Sequence, residues 1–69
     1  MFELIFTNYA EANLEDAAYA EFSSLYEAVE AAYEIEDCDQ DLFELYNADT
    51  LMIRYGDEMH LVDWWVPML

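Results

Sequence analysis

Positive charge is almost absent from this 69-residue chain. Arg54 is the only lysine or arginine, against 17 aspartates and glutamates, and the formal net charge is −16. Proteins bind nucleic-acid phosphates and anionic membranes through clusters of lysine and arginine. One arginine does not make such a cluster, so the sequence argues against direct binding to nucleic acid or to a membrane surface.

Cysteine, histidine and serine are scarce as well. Cys38 and His60 are single residues of their types, so neither an internal disulfide nor a tetrahedral zinc shell is available. Ser23 and Ser24 are the only serines and have a helix-capping explanation, which leaves few combinations for nucleophilic catalysis. His60, in a predicted strand near Asp63, is better explained as a structural or surface histidine than as a general base. We therefore expect no enzyme activity and no cofactor.

An acidic run copies the start of a calcium-binding loop without completing it. Asp37, Asp39 and Asp41 occupy the first three ligand positions of an EF-hand loop. The loop then requires a glycine and later a bidentate glutamate, where this chain has Leu42 and Ala48. We expect no dedicated metal site.

The chain has no apolar run long enough to span a membrane. Glu3 interrupts the short apolar segment at the start, so we expect no signal peptide either. The apolar fraction is nevertheless 58% and the aromatic fraction 17%, far above those of an acidic disordered tail. We therefore expect one folded, soluble domain over residues 1–69. The lone Cys38 fits a reducing compartment, which favours the cytoplasm.

The hydrophobic pattern predicts one main helix and four strands. Ser24 and Glu27 have the spacing of a capping box, so a helix is expected from about Ser24 to Ile35. The segment from 8 to 21 is either a short helix capped near Asn13 and Asp16 or a loop. The predicted strands are Phe2–Thr7, Leu42–Tyr46, Leu51–Tyr55 and Met59–Val66.

This order of elements favours an α+β fold: a small, mainly antiparallel sheet of about four strands, covered by one main helix, with or without an extra short helix. Gly56, the only glycine, fits a hairpin turn that needs positive φ, and Pro67 is expected to end the last strand. The expected core consists of Phe2, Leu4, Phe6, Val29, Phe43, Leu45, Leu51, Ile53 and Leu61.

The carboxylates recur at regular spacings. On the predicted helix, three glutamates lie opposite the apolar stripe, and neighbouring members are about 5–6 Å apart. Alternate aspartates in the next segment would be about 6.6 Å apart if that segment were extended. Both spacings suit an imitation of repeated phosphates. We therefore predict a continuous anionic track over the helical side of the domain that binds a basic partner: Glu11, Glu15, Asp16, Glu21, Glu27, Glu30, Glu34, Asp37, Asp39 and Asp41.

In size, charge, tyrosine and tryptophan content and lack of catalytic groups, the chain resembles the phage and mobile-element inhibitors that imitate DNA. These include acidic anti-CRISPR and antirestriction proteins. The resemblance is one of type: it covers the overall composition and the acidic part from Glu11 to Glu44, and no functional residue is carried over. It implies an inhibitor that occupies the basic DNA-binding channel of a CRISPR–Cas effector or, alternatively, of a restriction enzyme, in the bacterial cytoplasm.

The acidic composition is also compatible with roles that do not involve imitation of DNA. The chain could be an acidic regulatory or toxin-neutralising partner that covers a basic patch, or a halophilic domain. The acids could also be a solvated face that keeps a small hydrophobic protein soluble, although such faces ordinarily mix both signs and this chain has no lysine.

The end of the chain contains two consecutive tryptophans. Trp64 and Trp65 would point to opposite sides of a regular strand. One of them is therefore expected in an exposed patch, which suits a homodimer or a partner contact.

Overall fold

The computed structural model describes residues 1–69 and has a four-stranded antiparallel sheet with one main helix, which confirms the α+β prediction. The strands lie in the order β2-β1-β3-β4. Their bounds are Phe2–Thr7 (β1), Ala20–Phe22 (β2), Thr50–Tyr55 (β3) and Glu58–Leu61 (β4). The helices are Leu25–Cys38 (α1), Asp41–Leu45 (α2) and Val62–Trp65 (α3), with 3-10 turns at Tyr9–Glu11 and Val66–Met68.

The main helix follows from its sequence. The backbone N–H of Glu27 donates to Ser24 Oγ at 3.2 Å, so the predicted cap is confirmed. Ala28 and Val29 begin a buried stripe that continues through Ala32 to Ile35 and packs on the sheet. The helix extends three residues beyond the predicted end and closes at Asp39, whose backbone N–H donates to Ile35 O at 2.9 Å.

Both faces of the sheet are buried. Leu4 lies opposite Ile53 in the ladder between β1 and β3, and both side chains face α1 with no exposed surface. Ile5 points to the other face and is equally buried. Because successive residues of a strand alternate between faces, a second layer must cover the side away from α1.

The segment between β1 and β2 forms that second layer. Arg54 Nη1 donates to the carbonyl oxygens of Leu14 at 2.7 Å and Asp16 at 2.6 Å, and Thr7 Oγ1 donates to Asp16 Oδ2 at 2.8 Å. The segment is a loop with one 3-10 turn and the short strand β2 at its end. The helical alternative for this segment is therefore wrong, and Asp16 serves as a loop acceptor.

The strand predicted at Leu42–Tyr46 is wrong, because this segment contains α2. Short apolar runs fit helix and strand equally well. Here the N–H of Leu42 donates to Asp39 O at 3.0 Å, which starts a helical turn. After Tyr46, Asn47 adopts a left-handed conformation with φ of 51° and ends the helix.

The last predicted strand, Met59–Val66, is correct only as far as Leu61, and the observed strand begins one residue earlier, at Glu58. The chain then forms α3, and Pro67 belongs to a 3-10 turn and does not end a strand. Val62 and Trp65 are both buried, and their three-residue spacing places them on one side of a helix but on opposite sides of a strand. Trp65 Nε1 also donates to Ile53 O at 2.9 Å inside the core.

The core prediction is right for most residues. Leu4, Val29, Leu51 and Ile53 are buried, and the three predicted phenylalanines are partly buried against them. Leu45 is 73% exposed and Leu61 is 40% exposed, so these two assignments are wrong. Gly56 has the expected positive φ, 64°. None of the helices is long and apolar enough to cross a lipid bilayer.

Candidate partner-binding surface

The outer side of α1 presents an exposed row of four carboxylates, which we call the α1 row: Glu27, Glu30, Glu34 and Asp37. These residues lie opposite the buried stripe, at intervals of three and four residues, so neighbouring members are about 5–6 Å apart. At 1.5 Å per residue the row extends over about 15 Å. On α2, which follows directly, Asp41 and Glu44 are exposed as well.

Glu27, the first member of the row, also takes part in the N-terminal cap of α1. Its Oε1 accepts hydrogen bonds from Ser23 Oγ at 3.0 Å and Ser24 Oγ at 3.1 Å. Together with the amide bond to Ser24, these contacts fix the first turn of α1. A negative charge here is also favourable toward the helix dipole. Because Glu27 is engaged in this way, replacing it would disturb the first turn of α1 as well as the charge of the row.

Two exposed tyrosines flank the α1 row. Tyr26 and Tyr33 lie between the acidic side and the buried stripe. A hydrogen bond to Glu30, and the charge of that carboxylate, raise the pKa of Tyr26. Tyr33 Oη donates to Asp63 Oδ1 at 3.4 Å, and partial burial, with the charge of Asp63, raises the pKa of this phenol. Both phenols are therefore neutral hydrogen-bond donors beside the carboxylates, and aromatic side chains are enriched at protein interfaces.

The four upstream acids do not join the α1 row. In the ladder between β1 and β2, Glu21 lies opposite Glu3, on the sheet face turned away from α1. Glu15 and Asp16 belong to the loop that covers this face, and Glu11 lines a cavity at its end. The sheet thus separates Glu15, Asp16 and Glu21 from the α1 row, so the expected continuous track over the helical side is not formed.

The aspartates of the calcium-like run do not have the spacing of a strand. Asp37 lies in the last full turn of α1, Asp39 follows the helix end, and Asp41 begins α2. The segment therefore contains the end of α1 and the start of α2 and is not extended. No group of three or more His, Cys, Asp or Glu side chains is arranged to hold a metal ion.

The only arginine is used inside the protein. Arg54 Nε donates to Glu3 Oε1 at 2.9 Å, and the side chains of Arg54 and Glu3 are 12% and 25% exposed. This hydrogen bond and the positive charge lower the pKa of Glu3, and the same bond raises the pKa of Arg54. The sequence identifies Arg54 as unique but gives no means of assigning its partners, which depend on the register of β1 and β3.

A second acidic area lies beside α3. Partial burial raises the pKa of Glu36, and the nearby charges of Asp63 and Asp37 raise it further. Glu36, Asp49 and Asp63 line a concavity of about 190 Å³. The charges of Asp63 and Asp37 oppose the ionisation of Glu36, and this group of acids adds to the negative field near α1.

The two tryptophans have different environments. Trp65 is buried, whereas Trp64 is 43% exposed and stacks on His60 with ring centroids 3.6 Å apart. The sequence predicted one exposed tryptophan but placed both tryptophans in a strand, whereas they lie in α3. The homodimer expected from it stays a prediction.

Comparison with known proteins found no matching family model, no matching curated protein and no matching solved structure.

Proposed function

We propose that this protein is a non-enzymatic inhibitor that presents negative charge to a basic nucleic-acid-binding protein in place of DNA. The observation that carries the proposal is the position of Arg54. Because this guanidinium is engaged with Glu3 and two loop carbonyls, no lysine or arginine is left to neutralise the exposed carboxylates. A surface of one sign steers a partner of the opposite sign over distances longer than a contact.

The contact surface in this proposal is the α1 row. Four charges over about 15 Å give one charge per about 5 Å of helix axis. A single DNA strand carries one charge per about 3.4 Å, and the duplex carries one per about 1.7 Å. The row therefore approaches the charge density of one strand and is well below that of the duplex. A groove that follows one strand is the matching target.

The target class comes from the resemblance to phage and mobile-element inhibitors. It suggests a CRISPR–Cas effector as the first target, which makes the protein an anti-CRISPR acting in the bacterial cytoplasm. A restriction enzyme is the second target and would make it an antirestriction protein. Both enzymes hold DNA in positively charged channels, which is the property that the α1 row requires.

A second candidate function is supported by the distribution of the acids. Glu15 and Glu21 are exposed on the side of the sheet away from the α1 row, so negative charge is present on both sides of the protein. An acidic regulatory or toxin-neutralising partner that covers a basic patch needs no DNA-like row and is compatible with this distribution.

A competition experiment separates the two candidates. A purified effector is loaded with fluorescent single-stranded or duplex DNA, and the inhibitor is added while anisotropy is recorded. A DNA imitation displaces the DNA, and excess unlabelled DNA in turn releases the inhibitor. If the inhibitor and DNA bind the effector together, the imitation is refuted and the regulatory partner is supported.

A second copy of the chain is a further proposed partner, through the exposed ring of Trp64. Light scattering at high protein concentration and about 0.5 M salt tests it, since the salt screens repulsion between two chains of net charge −16. A mass twice that of the chain supports the dimer, and a clean monomer removes it.

A further inference from the structure

A concave cavity of about 360 Å³ opens where the loop between β1 and β2 meets the end of α2. Three aromatic side chains, Phe6, Tyr19 and Tyr46, line it together with two carboxylates, Glu11 and Asp16. The cavity is distinct from the α1 row. Its lining joins the segment from Phe6 to Tyr19 with Tyr46, which is far from it in the sequence, and this is why the sequence did not reveal it.

The aromatic wall has a defined geometry. Phe6 and Tyr46 are stacked, with ring centroids 4.9 Å apart and planes 9° apart. Tyr19 stands nearly perpendicular to both, at 88° to Phe6 and 84° to Tyr46. Backbone bonds fix the two tyrosines, from Tyr19 N to Leu4 O at 2.8 Å and from Tyr46 N to Leu42 O at 3.0 Å.

The carboxylates of the cavity have free acceptors. Asp16 Oδ2 accepts from Thr7 Oγ1 at 2.8 Å and from Asn13 N at 3.1 Å, whereas Oδ1 makes no hydrogen bond within the chain. Glu11 is exposed and its carboxylate makes none. Arg54 contacts the backbone oxygen of Asp16 and not its carboxylate, so no cation of the protein fills the cavity.

We infer that this cavity receives a guanidinium group, supplied by an arginine side chain of the basic partner. A guanidinium is planar and stacks on aromatic faces, and its N–H groups donate to carboxylates at the same time. Lysine has a compact ammonium without a plane to stack, so arginine fits this combination better. The inference rests on the proposed function for the identity of the partner, but not for the chemistry of the cavity.

The test uses the full chain, labelled with ¹⁵N, and N-acetylarginine amide as the probe in about 0.1 M salt. We expect saturable chemical-shift changes at Phe6, Glu11, Tyr19 and Tyr46 and their neighbours. N-acetylcitrulline amide has nearly the same shape without the charge and is expected to give no saturable change. This comparison needs no variant and does not depend on the folding of one.

Variants then assign the contacts. Glu11→Gln removes a free carboxylate and Tyr46→Leu removes an aromatic face, and each is expected to weaken arginine binding about threefold. Glu58→Gln, an identical change on the distant β3–β4 hairpin, is the matched control and is expected to leave the affinity unchanged within error.

Two results overturn the inference: shifts spread evenly over the acidic surface, or equal binding of the citrulline probe. Either result leaves the proposed function standing, because the titration contains no partner. If the titration succeeds but the inhibitor fails to compete with DNA, the cavity remains a guanidinium site and only the DNA imitation is removed.

Discussion

Arg54 and Glu3 lie opposite each other on β3 and β1, and Arg54 Nε donates to Glu3 Oε1 at 2.9 Å. The same guanidinium binds the carbonyls of Leu14 and Asp16, so it joins two strands to the loop that covers the sheet. The only strong cation thus stabilises the fold from the inside. The exposed acids are left without a lysine or arginine to pair with.

Loss of this guanidinium should destabilise the protein. Arg54→Met retains most of the aliphatic stem but leaves Glu3 and two carbonyls without their donor, which we expect to cost about 2–4 kcal/mol of unfolding free energy. Glu3→Gln keeps an acceptor for Arg54 and should cost about 1 kcal/mol. Urea unfolding at pH 7 measures both. An Arg54→Met variant as stable as the unchanged protein would contradict the structural role.

The helix cap offers a second stability test. Ser24→Ala removes the acceptor of the Glu27 amide and should cost about 1 kcal/mol, within the usual range of about 0.5–2 kcal/mol for such caps. Ser23→Ala is the matched control, since it removes only a hydroxyl contact with the Glu27 carboxylate and should cost less. Equal effects of the two changes in thermal unfolding would argue against Ser24 as the cap.

The pH dependence of the protein's stability should be sensitive to Glu36. Its pKa is raised in the folded protein by partial burial and by the charges of Asp63 and Asp37, so the folded state binds this proton more tightly than the unfolded state. As pH rises through the ordinary pKa, the unfolded state ionises first and is favoured, and ionised Glu36 therefore lowers stability at neutral pH. We expect Glu36→Gln to increase the urea midpoint at pH 7 and to have little effect below the ordinary pKa of a glutamate.

Glu34→Gln on the same helix is the control for this experiment. It removes one exposed charge from α1 without touching the area beside α3. If both variants gain the same stability at pH 7, the effect reflects net charge alone and not the environment of Glu36.

Salt should act in opposite directions on the free protein and on its complex. The Debye length falls from about 10 Å at 0.1 M to about 3 Å at 1 M, which screens repulsion within a chain of net charge −16. We expect a stabilisation on the order of 1 kcal/mol, seen as a rise of about 4–8 °C in the melting temperature. Affinity for a basic target should fall over the same range. A complex whose affinity is independent of salt would contradict the electrostatic mechanism.

Local signals in the sequence predicted the elements that depend on local interactions. The alternation of Phe2–Thr7 indicated β1, and the Ser24–Glu27 spacing indicated the start of α1. The segments at α2 and α3 were wrongly predicted as strands, because short apolar runs have no unique period and tertiary burial decides them. For α3, the spacing of Val62 and Trp65 was the available helical signal.

The candidate surface was predictable only where it lies on one helix. Glu30 and Glu34 are brought together by helical periodicity, which the sequence displays. The separation of Glu15 and Glu21 from them depends on a loop that crosses the far side of the sheet, held by Arg54. Pairings between residues so far apart in the sequence leave no local trace, and the same is true of the cavity lined by Phe6, Tyr19 and Tyr46.

The α1 row is proposed to make the contact with the basic target, and a matched pair of charge-reversal variants tests this contact most directly. One variant carries Glu30→Lys, Glu34→Lys and Asp37→Lys, and the control carries Glu15→Lys, Asp57→Lys and Glu58→Lys. Each has three changes of +2, so both have the same net charge of −10 in place of −16. All six positions are exposed, and Glu27 is left unchanged because its carboxylate and amide fix the first turn of α1.

The measurement is displacement of fluorescent DNA from a purified CRISPR–Cas effector at about 0.1 M salt, with folding of both variants checked by circular dichroism. We predict that the α1 variant loses at least about tenfold in inhibitory affinity, at roughly 0.5 kcal/mol or more per reversed contact, while the control stays within about threefold of the unchanged protein. Equal losses in the two variants would contradict the account, because they would mean that net charge alone, and not the row on α1, makes the contact.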